Sequence, residues 1–318
     1  MTWMLTGGAG YIGAHIVRAF QAIDLPVVVL DDLSTGIREN VPDGVPFVHA
    51  AVQDRDAVRA VMGEHGVTGL LHLAAKKAVG ESVEKPLLYW DENVGGMVDL
   101  LQVAVGEGVE RVLFSSSAAV YGTPPDEHVS EETPTGPLSP YGETKLVGEW
   151  ALRDVAVANP SLRWAALRYF NVAGTGAPEL ADRSVSNLVP LTIQALSEGR
   201  NPRLFGDDYD TRDGSCVRDY IHVVDLAEAH AAAARRLDEG PLGEVYNVGR
   251  GEGVTVKEMF DVVRTVTGMD FTVDVAPRRA GDPAAYFADP AKINDQLGWT
   301  ARLDLEEMVR SAWAAWQK

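Results

Sequence analysis

The chain has 318 residues, 46% hydrophobic and 23% charged, with 28 basic against 46 acidic side chains and a formal net charge of −18. That composition fits a globular protein of one large or two modest domains, and its acidity argues against nucleic acid, whose phosphates need basic neutralisation. No apolar run reaches about 18 residues and no charged leader precedes the first apolar segment, so neither a membrane span nor a secretion signal is expected.

Trp3–Leu5 reads as a first strand. It runs into Thr6-Gly7-Gly8-Ala9-Gly10-Tyr11-Ile12-Gly13, which opens a helix over Tyr11–Ala22. Gly7 and Gly10 permit a tight turn and close backbone approach to a pyrophosphate, Gly13 permits close helix–strand packing, and the helix N-terminus offers free N–H groups to the anion. Val27–Leu30 is the next strand, and Asp31 at its end suits the two ribose hydroxyls of NAD while repelling the ribose phosphate of NADP. Strands over Phe47–His49, Leu70–Leu73, Val112–Ser115 and Ala165–Tyr169 follow, with helices over Arg55–Glu64, Val94–Gly106 and Tyr141–Ala158 between them. The alternation predicts an α/β fold, a Rossmann-type doubly wound parallel sheet with helices on both faces.

The last of those helices has a well-specified start, with Ser139 as N-cap and Pro140 at the first helical position. Tyr141 and Lys145 are spaced by one helical turn and so share a face. An ammonium beside a phenol favours the phenolate, and such a pair reads as a base that takes a proton from an alcohol while a hydride leaves the same carbon. The second half is less regular, with helices over Asn187–Ser197, Asp225–Leu237, Val256–Thr267 and Leu305–Trp316 and glycine- and aspartate-rich loops between them. We read residues 1–170 as the dinucleotide-binding domain, with a segment near 215–245 crossing back to it, and 171–318 mainly as a smaller mixed α/β substrate domain. Cys216 is the single cysteine, so an intramolecular disulfide is excluded, no metal site is expected and a reducing cytoplasm suits the chain.

The glycine turn, Ser115-Ser116-Ser117 and Tyr141/Lys145 resemble the extended short-chain dehydrogenase/reductase superfamily. Within it the chain is similar to the UDP-glucose 4-epimerases over nearly its whole length. The discriminating stretches are Lys77–Ser82, Val217–His222 and Ala276–Asp282, supported by Ser115–Gly122, Ser139–Gly142 and Leu167–Asn171. The resemblance implies redox-neutral interconversion of UDP-glucose and UDP-galactose at carbon 4, with NAD as cofactor and a homodimer as the assembly. It implies that Tyr141 moves the hydroxyl proton, that Ser117 bonds the sugar oxygen and relays that proton, and that Lys145 tunes Tyr141 and holds the nicotinamide ribose.

It also implies a cofactor shell of Tyr11, Ile12, Asp31, Val52, Leu73, Ala74, Ala75, Lys77, Asn93, Ser115 and Tyr169. Several of these have competing structural roles: Asn93 as a helix N-cap, Lys77 as a solvated loop lysine, Leu73–Ala75 as strand-end core and Tyr169 as a buried sheet tyrosine. For the substrate it implies Arg218 and Arg279 on the diphosphate, Asn171, Asn187 and Leu188 along phosphate and sugar, Phe205 on uracil and Asp282 on the uridine ribose. Tyr286 aligns with a position that sets pocket width, and its bulk points to plain UDP-hexoses over N-acetylated ones. One departure stands out. The family places an acid after the third strand, where it meets the adenine amino group, and Ala51 stands there, so adenine is expected to be held mainly by backbone groups and packing. The related 4,6-dehydratases carry an Asp-Glu pair where this chain has Ala118 and Ala119, which removes that elimination route.

Overall fold

The computed structural model describes residues 2–279 and 282–317; Ala280 and Gly281 of the arginine-bearing stretch lie outside the described residues. The chain opens with β1 (Thr2–Thr6), α1 (Tyr11–Gln21), β2 (Val27–Asp31), β3 (Phe47–His49), α2 (Arg55–Glu64) and β4 (Val67–His72). Then come the short α3 (Val79–Glu84) and α4 (Pro86–Tyr89), a π-helical stretch Trp90–Gly95, α5 (Gly96–Gly106), β5 (Arg111–Ser115), β6 (His128–Val129), α6 (Pro140–Ala158) and β7 (Arg163–Tyr169).

The second half contributes β8 (Asn171–Ala173), α7 (Leu188–Ser197), β9 (Arg203–Phe205), β10 (Val217–Arg218), β11 (Tyr220–His222), α8 (Val223–Glu239) and β12 (Gly243–Val248). It ends with β13 (Val254–Thr255), α9 (Val256–Thr267), β14 (Asp274–Ala276), β15 (Ala285–Ala288), α10 (Ala291–Leu297) and α11 (Leu305–Trp316).

Seven strands form one parallel sheet in the order β12-β7-β5-β4-β1-β2-β3. Its central strands are buried on both faces, as their apolar runs require. On one face Ile16, Val17 and Phe20 of α1 pack with Leu226, Ala233 and Leu237 of α8. On the other, Val58 and Met62 of α2 pack with Leu100 and Leu101 of α5 and Leu152 of α6. The chain winds outward from β1 through β2 to β3, then returns to the other side of β1 at β4. That reversal opens a crevice at the carboxyl ends of β1 and β4, where open α/β sheets bind ligands.

A smaller layer sits beyond those carboxyl ends. A four-stranded sheet has the order β13-β10-β15-β6, and two parallel pairs join β11 to β8 and β14 to β9. A third core holds it together, with Ile193 of α7, Met259 and Val263 of α9 and Met308 and Val309 of α11. Among the described residues no helix is long and apolar enough to cross a membrane.

Three differences from the sequence expectation fall in the large sheet and the helices that cover it. β4 begins at Val67, three residues early, because Gly69 is a strand residue that its neighbour demands: a Cβ there would lie 2.5 Å from the Trp3 ring. A glycine inside a strand weakens the sequence signal. The helix expected from Val94 is preceded by α3, α4 and the π-helical stretch, so Asn93 lies inside helical structure and is no N-cap. The seventh strand, β12, was not anticipated; its polar Asn247 is fully buried and is satisfied by Tyr121 and the Val129 carbonyl.

Candidate active site

A cleft of about 660 Å³ runs along the carboxyl ends of the large sheet. Gly7, Gly10, Tyr11, Ile12 and Gly13 form its floor at the N-terminus of α1, and Leu73, Ala74 and Ala75 line the facing edge after β4. Gly7 has φ +74°, and a Cβ on it would meet the Ala74 nitrogen at 2.8 Å. A Cβ on Gly13 would stand 2.2 Å from the Gly7 carbonyl oxygen, so only glycine lets α1 start this close to the turn. The glycine backbone is thus an open cradle with N–H groups at a helix N-terminus, the arrangement that suits a pyrophosphate.

Asp31 closes β2 beside the cradle. Its carboxylate accepts from Ala9 N and Leu33 N, each at 2.9 Å, which pull its pKa down, while burial, the larger influence, raises it. Gly36 leaves room for it, since a Cβ there would come within 2.6 Å of Oδ1. Beyond Asp31 the cleft is walled by Ala51, Val52 and Gln53. A second depression, about 820 Å³, lies at the opposite ends of β7 and β12 around Ser161, Arg163 and Gly243. It sits at the amino ends of the strands, without a glycine turn.

At the other end of the cleft stand Tyr141, Lys145 and Tyr169. Ser139 caps α6 by accepting from Gly142 N at 3.2 Å, with Pro140 following, so the start of this helix is as its sequence implies. The Lys145 Nζ donates to the Ser115 carbonyl at 2.8 Å, and burial lowers its pKa to about 8. The nearby Ser117 hydroxyl draws the Tyr141 pKa down, but burial outweighs that and the net direction is upward, with Tyr286 adding to the rise. This corrects the sequence reading, in which the neighbouring ammonium was to lower the phenol: desolvation of a buried phenolate is the larger effect here. Tyr169 is also raised by burial.

Several shell residues have partners the sequence did not disclose. Asn93 accepts from Lys76 N at 2.8 Å and donates to Lys76 O and to Thr144 Oγ1, each at 3.0 Å, so it ties the loop after β4 to α6. Lys77 is exposed and donates to Ser184 Oγ at 3.1 Å across the cleft mouth. The Ser115 hydroxyl meets His230 Nε2 at 3.0 Å, beside the Tyr169 ring, and no motif in the sequence marks His230. Ser34–Ile37 and Asp182–Ser184 also line the cleft and carry no motif that could have marked them.

The smaller layer holds the substrate candidates, and of these Tyr286 stands close enough to Tyr141 to act on its charge. Arg218 is buried, stacks over Tyr286 at 5.1 Å and pairs with Asp282. The Arg279 guanidinium lies 3.9 Å from the centre of the Phe205 ring. Asn171 Nδ2 donates to the Asp219 carbonyl at 3.1 Å, and Asn187, at the start of α7, reaches Asp182 at 3.3 Å. Leu188 packs on the third core. Guanidinium forks such as these suit the oxygens of a diphosphate.

The NAD dependent epimerase/dehydratase family model matches residues 3–249. This chain belongs to that family. An Azospirillum brasilense UDP-glucose 4-epimerase is 42% identical to it over 99% of this chain and 91% of its own length. A Stenotrophomonas maltophila UDP-glucose-4-epimerase, solved with NAD and formylated UDP-arabinopyranose, superposes with a TM-score of 0.95 at 39% identity, covering 100% of this chain and 98% of its own. The Bifidobacterium longum enzyme, solved with NAD+ and UDP, gives 0.92 at 38% identity, covering 100% and 98%. As a member of the family the chain is an NAD-dependent enzyme, and the open glycine cradle with Asp31 beside it fits that cofactor.

Proposed function

We propose that this enzyme interconverts UDP-glucose and UDP-galactose by reversible oxidation and reduction at carbon 4. The observation that carries the proposal is Tyr141, with Lys145 one helical turn on, at the end of the dinucleotide cleft and close to Tyr286, over which Arg218 stacks. NAD, when bound, supplies a reversible hydride acceptor. Tyr141 takes the proton of the 4-hydroxyl and later returns it. Ser117 holds the sugar oxygen and passes the proton. Lys145 adds positive charge beside the phenol and bonds the cofactor ribose. Gly7, Gly10, Tyr11, Ile12 and Gly13 hold the pyrophosphate, Asp31 the adenosine ribose, and Val52, Leu73–Ala75, Lys77 and Tyr169 the remaining walls, with Asn93 and Ser115 buried behind them as supports.

On the substrate side Arg218 and Arg279 bind the diphosphate, Phe205 the uracil, Asp282 the uridine ribose, and Asn171, Asn187 and Leu188 the stretch between. Tyr286 limits the sugar to plain hexoses. Ala118 and Ala119, in the short turn after Ser117, offer no proton for eliminating a hydroxyl, which favours epimerisation over dehydration. We further propose a homodimer, supported by Trp150 and Val157, exposed two turns apart on one face of α6, and a cytoplasmic setting, supported by the free thiol of Cys216. Purified protein given UDP-galactose and no added cofactor should form UDP-glucose without net NADH. A protein that retains NAD but leaves UDP-galactose unchanged overturns the proposal.

A further inference from the structure

The far end of the cleft, past Asp31, lacks the acid that would meet the adenine amino group, yet it is not without a carboxylate. Val52 and Gln53 follow Ala51 and are clamped against the start of α5: a Cβ on Gly96 would lie 2.9 Å from Val52 Cγ2 and 3.5 Å from Gln53 Nε2. The π-helical stretch just before α5 carries Glu92, which lines the same cleft as Ala51, Val52 and Gln53. Gln53 Nε2 donates to Glu92 Oε2 at 3.0 Å and fixes that side chain against the wall. Glu92 Oε1 accepts from no protein donor among the described residues. The other acid nearby, Asp32, is engaged by Ser34 through both its N–H and its hydroxyl, at 2.9 and 2.7 Å.

We propose that Glu92, oriented by Gln53, accepts the hydrogen bond of the adenine 6-amino group and so replaces the acid missing at Ala51. This rests on the reading of the cleft as an NAD site. An amino group is a donor and a carboxylate accepts without donating, so the pair is matched, and a charge-assisted bond is about twice as strong as a neutral one. A purine with oxygen at position 6 sets an acceptor against that carboxylate and is disfavoured.

The test is a competition. Purified enzyme is equilibrated with equal amounts of NAD and nicotinamide hypoxanthine dinucleotide, desalted, and the bound dinucleotides are quantified by mass spectrometry. The ratio is unaffected by any unfolded fraction. The wild type should hold NAD in preference by roughly tenfold, the scale of one hydrogen bond to a charged group. Glu92→Ala should bring the ratio close to one, and adding Ala51→Asp to that variant should restore the preference. Unchanged preference in Glu92→Ala, or none in the wild type, overturns the role of Glu92 alone. A protein that retains neither dinucleotide overturns the NAD reading with it.

Discussion

The Lys145 ammonium stands 6.0 Å from the centre of the Tyr141 ring and gives its hydrogen bond elsewhere, to the Ser115 carbonyl oxygen at 2.8 Å. Burial raises the phenol and lowers the ammonium to about 8, so each is pushed toward its neutral form. The spacing of the pair on α6 therefore does not by itself make a phenolate. A positive charge near the ring, such as an oxidised nicotinamide would bring when bound, would favour the phenolate, in the same direction as the Ser117 hydroxyl.

Tyr141→Phe removes the group assigned to proton transfer and leaves the glycine cradle and Asp31 intact. Turnover of UDP-galactose should fall by about 10²–10⁴-fold, the usual worth of a positioned acid–base group. Retained NAD, measured by absorbance and release on denaturation, should be little changed.

Ser117→Ala removes the hydroxyl that pulls the Tyr141 pKa down. The phenol should then rise further, and the acidic limb of the kcat/KM profile, where Tyr141 is still protonated, should move to higher pH. A profile that drops in height without moving along the pH axis would deny Ser117 this tuning role.

Lys145→Met tests the buried ammonium through stability. The wild-type lysine titrates at about 8 when folded against 10.5 in its ordinary state. Between those values the unfolded chain carries a proton that the folded chain has lost, so unfolding takes up protons and stability rises with pH. Relative to Lys145→Met, dinucleotide-free wild type should gain up to about 3 kcal/mol from pH 8 to pH 10.5, and nothing below pH 7. Denaturant unfolding of both proteins across that range checks the sign.

Gly13→Ala places a methyl group 2.2 Å from the Gly7 carbonyl oxygen. Backbone must shift to admit it, at a cost of about 1–3 kcal/mol. Because the displaced atoms are those of the cradle, the variant should lose NAD on dialysis as well as melt earlier.

Tyr286→Ala shortens the wall behind Arg218 and Phe170, against which the ring now packs at 5.1 and 5.6 Å. Activity on UDP-N-acetylglucosamine should rise relative to UDP-galactose by an order of magnitude or more, the sum of about 1–3 kcal/mol of relieved crowding. Comparable use of both sugars by the wild type would remove Tyr286 from that role.

The sequence by itself determined the parallel sheet, the glycine turn with Asp31, and the start of α6 at Ser139-Pro140. Each is written in a local pattern: apolar runs in alternation with helices, glycines at close approaches, a cap before a proline. What only the tertiary structure decided are matters of contact between distant segments. It decided that β12 returns to complete the large sheet, that β6 from the first half joins β15 in the smaller layer, and that Asn93 ties a loop to α6, where the sequence left a cofactor contact and an N-cap open. It decided the direction of the Tyr141 pKa, since desolvation depends on what surrounds the ring and one helical turn of sequence cannot report it. It also brought Glu92 to the wall left bare by Ala51, 41 residues away in the chain, because α5 packs its first glycine against Val52.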